Sequence, residues 1–158
     1  MLDHHIKRRL SSDILNSKLY YQNTFYKAFL RDLNSCTTEA IIESPYITTK
    51  RIDTLLPTLR KLSKRGVRIV INTRNPNEHE GTYKQQAENA IANLQELNIL
   101  VLYTAGLHRK LTILDRIVIW EGSLNILSQN DSCEIMRRTK SKYISKRSIE
   151  FTGLNNFI

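Results

Sequence analysis

The stretch HRKLTILDRIVIWEGSLN, residues 108–125, decides how the rest of the chain is read. Two runs rich in β-branched and apolar residues, 108–114 and 117–121, are separated only by Asp115 and Arg116, and this close pair predicts a hairpin. Side chains along a strand alternate between its faces. His108 and Lys110 are therefore expected to share one face, with Leu111 and Ile113 on the other. Beyond Gly122, Ser123 and Asn125 form a second i, i+2 pair. A nucleophilic imidazole, a fixed cation and small polar donors are what attack on a phosphodiester requires, since the phosphorane that forms carries extra negative charge.

Working outward, apolar residues recur at helical spacing over 14–33 (Leu15, Leu19, Tyr26, Phe29, Leu30, Leu33). Ala40-Ile41-Ile42 reads as a buried strand ending near Pro45. Residues 50–64 return to helix through Ile52, Leu55, Leu56, Leu59 and Leu62, and Pro57 predicts that this helix starts or bends there. A strand follows over 67–72, a polar loop over 76–81, a helix over 83–97, a strand over 99–103 and, after the hairpin, a last strand over 133–138. Strands alternating with helices predict an α/β fold, a three-layer α/β/α sandwich with a mixed, mostly parallel central sheet. The 158 residues suit one domain, 1–158, with the N-terminal helical segment 1–35 included.

Composition narrows the function classes. Hydrophobic residues make up 41% of the chain and charged residues 25%, as in a soluble globular protein. No apolar run approaches the roughly 18 residues of a membrane span. MLDHHIKRRL at the start has charge without a following apolar stretch, so no secretory signal is expected and a cytoplasmic location is. Cys36 and Cys133 fit no zinc spacing and are expected as free thiols. A net charge of +9 favours polyanionic partners without choosing between nucleic acid and an anionic membrane.

The spacing H-x-K-x4-D-x6-G-S-x-N, kept at every interval from His108 to Asn125, resembles the signature of the phospholipase D superfamily, the HKD phosphodiesterases. Glu134, nine residues after Asn125, matches an acidic residue that such proteins often carry there. The resemblance implies a phospholipase D/nuclease-like fold and an active site built from two motif copies. This chain has one good copy. The alternative start, His5-Ile6-Lys7 with Asp13, has the wrong interval and no G-S-x-N after it. One half-site per chain implies a homodimer whose two copies of His108 meet over one phosphate.

The resemblance also implies the roles. One His108 attacks phosphorus to form a phosphohistidine, and the His108 of the partner subunit protonates the leaving oxygen and then activates water. Histidine's ordinary pKa of about 6.5 makes both protonation states available. Lys110 and Asn125 would bind the non-bridging oxygens, Ser123 would add a donor, and Glu134 would hold the far nitrogen of His108. Asp115 belongs to the same catalytic motif, yet it falls on the strand face opposite His108, so a structural or subunit-linking bond stays open for it. Glu43, ending the first buried strand, either borders the pocket or caps the surface. No metal or other cofactor is expected, because lysine, asparagine and imidazolium supply the positive charge. His4, His5 and His79 read as solvated surface residues.

The motif does not choose the substrate. Nucleic acid, with DNA favoured, is supported by the likeness to compact dimeric nucleases, by the absence of an apolar interfacial helix, and by two basic clusters: Arg60, Lys61, Lys64, Arg65 and Arg68, then Arg137, Arg138, Lys140, Lys142, Lys146 and Arg147. From these and the motif itself, Arg109, Lys64, Arg65, Arg137 and Arg138 are the expected phosphate contacts. No stable membrane association is expected. The chain also resembles modules found beside helicase or ATPase domains, which makes such a protein a candidate partner. Two other readings stay open: a phosphodiesterase of lipid headgroups, and a non-catalytic nucleic-acid-binding module.

Overall fold

Five consecutive buried residues, Glu39–Glu43, mark the strand that both faces of the sheet must cover. The computed structural model describes residues 15–128 and 132–158. In chain order they form β1 (Ser17–Tyr21), α1 (Gln22–Asn34), β2 (Glu39–Glu43), α2 (Thr49–Lys64), β3 (Arg68–Thr73), α3 (Gly81–Gln95), β4 (Leu100–Tyr103), β5 (Leu111–Leu114), β6 (Val118–Gly122), β7 (Ile135–Lys140) and α4 (Lys142–Thr152). The seven strands make one sheet in the order β1-β7-β6-β5-β2-β3-β4.

Strand parity assigns the layers. Ala40 and Ile42 of β2 join Ile69 and Ile71 of β3, Trp120 of β6 and the apolar stripes of α1, α2 and α3 in one core. Ile41 points the other way and packs with Leu111, Ile113 and Ile119 against Ile149 of α4 and Leu154 beyond it. The expected three-layer α/β/α sandwich is therefore present. Its sheet is mixed as expected, but not mostly parallel. Only β2–β3 and β3–β4 pair in parallel, each bridged by a helix long enough for the crossover. The ladders β2–β5, β5–β6, β6–β7 and β7–β1 are antiparallel. Between β5 and β6 lie only residues 115–117, too few for anything but a hairpin.

Three local expectations change. The helix expected over 14–33 begins as a strand: Ser17–Tyr21 pairs with β7, Leu19 opposite Arg137, and only Gln22–Asn34 is helical. Tyr26, Phe29, Leu30 and Leu33 alone carried the helical period, while Leu19 stays 56% exposed on an edge strand. Pro57 neither starts nor ends α2, which runs from Thr49 through it to Lys64. The basic run after residue 140 hid a helix, α4, started by the Ser141 hydroxyl accepting from Ile144 N–H at 3.1 Å and stopped by Gly153 at φ 73°. The alternative motif around His5, Lys7 and Asp13, together with His4, lies outside the described residues.

Asp115 explains the β5–β6 turn. It and Arg116 adopt left-handed backbone, φ 51° and 54°, which costs a non-glycine residue unless its side chain is held. The Asp115 carboxylate accepts the N–H groups of Thr37 (2.9 Å), Thr38 (2.8 Å) and Glu39 (3.0 Å) and the Thr38 hydroxyl (2.7 Å), locking the turn to the entrance of β2. Burial alone would raise its pKa, but these donors outweigh burial and hold the carboxyl well below the usual range. The neighbouring Cys36 thiol is pushed up to about 12 by its own burial and by donating to that carboxylate. A carboxyl depressed in the folded state contributes stability that is present above its unfolded pKa of about 3.9 and is lost as pH falls through the folded value. Asp115→Ala should therefore lower stability by about 2–4 kcal/mol at neutral pH. In denaturant titrations its deficit should shrink below about pH 4, where the wild type loses the same contribution.

Candidate active site

The site is assembled at one edge of the sheet by the antiparallel register. Glu43 at the end of β2 lies opposite Leu111, Leu111 opposite Glu121, and Gly122 opposite Met136. The residues just before β5, just after β6 and just before β7 thus converge. They are His108 and Lys110, Ser123 and Asn125, and Glu134. Gly122 N–H reaching Lys110 O at 3.4 Å closes the ladder between the first two groups. His108 and Lys110 precede β5 instead of lying within it, yet they keep the expected alternation: the residue between them turns to the other side, towards Glu43.

That residue is Arg109, and its partner is the buried Glu43. The carboxylate of Glu43 has no solvent exposure and accepts from Arg109 Nε and Nη2, both at 2.7 Å, and from Asn72 Nδ2 at 2.8 Å. Asn72 Oδ1 in turn accepts from Thr104 Oγ1 at 3.0 Å. The carboxylate raises the Arg109 pKa further, chiefly through the paired hydrogen bonds. Arg74 Nε donating to Leu107 O at 2.7 Å fixes the segment one residue earlier. With Leu107 buried and Arg109 drawn to Glu43 on one side of this extended segment, His108 is left on the other side, and it is exposed.

Lys110 Nζ donates to the His108 carbonyl at 2.6 Å and also contacts Nδ1 of its ring. Partial burial lowers the Lys110 pKa. The charge of Arg74 acts in the same direction, and that of Glu134 opposes both. Glu134 is thus an electrostatic neighbour of Lys110. Its carboxylate accepts from Ser132 Oγ at 2.5 Å, and its N–H donates to Gln22 Oε1 at 3.1 Å. The loop after β6 is seated on Ser44, whose Oγ accepts from Leu127 N–H at 3.1 Å, while Thr48 N–H donates to Leu127 O at 2.9 Å. Asn125 Oδ1 is buried with no hydrogen-bond partner among the described residues. Leaving a buried polar atom unpaired costs about 1–3 kcal/mol, and another acceptor cannot relieve it in this rotamer. Rotating the amide presents Nδ2, the donor a phosphate oxygen needs.

Gly122 is required by close approach. A Cβ there would lie 2.1 Å from Ile135 O and 2.9 Å from Met136 Cα, backbone atoms of β7 that have no room to yield. Ser123 next to it donates its N–H to Ile135 O (3.0 Å) and accepts from Ile135 N–H through Oγ (3.1 Å). Its hydroxyl thus ties β6 to β7.

The other sequence candidates separate by position. Asp115 stands at the far end of β5, four strand residues from Lys110, with its carboxylate committed to the β2 entrance. Arg65 lies at that far edge too. Its Nη2 donates to the carbonyls of Asn34 (2.8 Å) and Cys36 (3.0 Å) at the end of α1, and Lys64 adjoins it. Arg138 faces the α1 layer, where Asp32 accepts its Nε at 2.5 Å and also the indole N–H of Trp120 at 2.9 Å. Arg137, one residue earlier on β7, faces the opposite way. With Arg109, Lys110 and Arg147 it lines a groove of 700 Å³ floored by Leu19, Ile135 and Tyr143. Sequence reasoning underrated Glu43 and overlooked Asn72 and Thr104. A charged residue closing EAIIE and an amide inside IVINT, each in a buried strand, were the available signals. Cys36 and Cys133 are both free thiols, as expected. Among the described residues no helix is long and apolar enough to cross a membrane.

Comparison with known proteins agrees with this fold. The family described as cardiolipin synthase, PLD-like domain, matches residues 29–151. The chain therefore belongs to the phospholipase D superfamily, a class of proteins built for phosphodiester chemistry. No curated protein sequence matches it. Among solved structures it is similar to Nuc of Salmonella typhimurium, a phospholipase D family member, with TM-score 0.71 and 16% identity over 85% of this chain and 90% of that one. NucT of Helicobacter pylori gives TM-score 0.70 and 16% identity over 85% of this chain and 91% of that one. TrmBL2, an archaeal chromatin protein, gives TM-score 0.58 and 12% identity over 97% of this chain and 60% of that one.

Proposed function

We propose that this protein is a metal-independent nuclease that cuts nucleic-acid phosphodiesters through a phosphohistidine at a site shared by two subunits. The observation that carries the reading is the convergence of the segments bearing His108, Lys110 and Asn125 at one end of the strands, with Arg109 held on the other side of the chain from His108 by the buried Glu43. A ring nitrogen of His108 attacks phosphorus and forms the P–N bond as the P–O bond to the leaving nucleoside breaks. The leaving oxygen takes a proton from the partner's His108. That ring then removes a proton from water, whose oxygen attacks phosphorus and releases His108. Lys110 and Asn125 hold the non-bridging oxygens as charge builds. Two imidazoles are needed and the motif supplies one per chain, His108, which favours a twofold assembly across this edge.

Nucleic acid is favoured as substrate by Arg137 and Arg147 lining the groove beside Lys110. It is also favoured by the fold likeness to TrmBL2, a protein described by its mode of DNA binding. The test is incubation with DNA and RNA, single- and double-stranded, in excess EDTA. Cleavage is expected, and cleavage that EDTA abolishes would defeat the reading. Salt-dependent binding without any cleavage would assign the chain to the non-catalytic alternative. The apolar floor of the 700 Å³ groove favours a second reading, a lipid-headgroup phosphodiesterase, which predicts phosphatidate release from vesicles and no cutting of nucleic acid.

The two neighbouring arginines of β7 should behave oppositely. Arg137→Ala should weaken DNA binding on all sequences alike and reduce the slope of log K against log salt by about 0.9, one phosphate contact. Arg138→Ala should leave that slope unchanged and lower the Tm instead, because Asp32 loses its partner beside the core. Fluorescence anisotropy across a salt series, with a melting curve for each variant, checks both.

A further inference from the structure

Asn125 lines a second pocket, of 450 Å³, whose wall is aromatic. Tyr46 packs against His79 with ring centroids 5.2 Å apart and planes inclined by 35°, and against Tyr83 at 6.3 Å and 61°. The Arg74 guanidinium stands over the Tyr46 ring at 5.5 Å. Arg74 also braces Leu107, so the platform and the His108 segment share a support. Tyr83 remains 56% exposed at the start of α3, an arrangement that burial of its ring does not explain.

Resting on the nuclease reading, we infer that Tyr46, His79 and Tyr83 form a stacking subsite for the nucleobase adjoining the scissile phosphate, so that the substrate is a single strand. Three features select a base over the other parts of a polynucleotide. Aromatic faces stack on bases of any sequence, each contact contributing about 1–3 kcal/mol. The lining includes Glu78 and Glu80, whose carboxylates repel a second phosphate and can accept from base N–H groups such as thymine N3–H. Asn125 belongs both to this pocket and to the HKD motif, so a base held here leaves its phosphate at the reacting edge. In a duplex both faces of that base are covered by its neighbours, whereas an unpaired strand can turn it outward.

The experiment compares oligothymidylate with an abasic tetrahydrofuran oligomer of equal length and charge, in EDTA. The wild type should cut oligothymidylate with at least about tenfold higher kcat/KM, carried by KM. Tyr83→Ala should bring that ratio towards one, and Tyr83→Phe should keep it. Equal cutting of the two polymers by the wild type, or an undiminished ratio in Tyr83→Ala, would overturn the subsite while leaving the nuclease reading intact. Failure to cut either polymer, or RNA, would remove both. A measurement that needs no turnover supports the same decision: 2-aminopurine in a single strand bound to the His108→Ala protein should be quenched by stacking, and binding without quenching would refute the platform.

Discussion

Replacing His108 with alanine should lower kcat/KM on nucleic acid by at least ~10³-fold while leaving the melting temperature nearly unchanged. The ring is exposed and its removal opens no cavity, so stability should shift by no more than about 0.5 kcal/mol. On the proposed mechanism the residual rate belongs to Lys110 and Asn125, which would still bind the phosphate and stabilise charge but provide no nucleophile. A shared site adds a stronger expectation. In proteins reassembled from equal amounts of wild-type and His108→Ala chains, only about a quarter of the dimers hold two imidazoles, and activity should fall to about that share. Activity that follows the wild-type fraction linearly would show that each subunit completes the reaction alone. Acid quench should trap phosphate on the wild-type protein and none on the variant.

The sequence exposed the candidate reacting groups more fully than the architecture that holds them. The motif intervals survive in the fold because they are the lengths of β5 and β6: His108 to Asn125 spans one hairpin, and a hairpin returns its two ends to the same edge. The i, i+2 reading of His108 and Lys110 held even though both precede the strand, since extended backbone alternates before pairing begins. What was missed depends on contacts distant in sequence. The pairing of Arg109 with Glu43 was hidden because a local pattern cannot reveal a partner 66 residues away. Arg138 looked like a twin of Arg137 because only β1, β6 and α1 together distinguish the face with Asp32 from the face with the groove. Asp115 carries the motif's third letter, but a left-handed turn uses its carboxylate as a clamp. Leu19 joined a helical period by coincidence, and edge pairing with β7 overrode it.

Arg109→Ala should be the most destabilising change at the candidate site, and its cost falls mainly on another residue. Glu43 is fully buried and would retain only the Asn72 amide as a donor. Stranding a buried carboxylate costs about 3–5 kcal/mol, and the 42% exposure of the Arg109 side chain, which screens the pair, points to the lower end. A loss of about 3 kcal/mol corresponds to roughly 6–12 °C in Tm for a chain of this size. If the cost is the stranded charge, Glu43→Gln in the Arg109→Ala background should restore most of the Tm, because a neutral amide still exchanges a hydrogen bond with Asn72. Activity should stay low in that double variant, because nothing then draws residue 109 inward and aims His108 outward. Recovery of both Tm and turnover would show that Arg109 stabilises the fold without positioning the nucleophile. Recovery of neither would mean that the inward packing of Arg109 itself, and not its charge, holds this edge together.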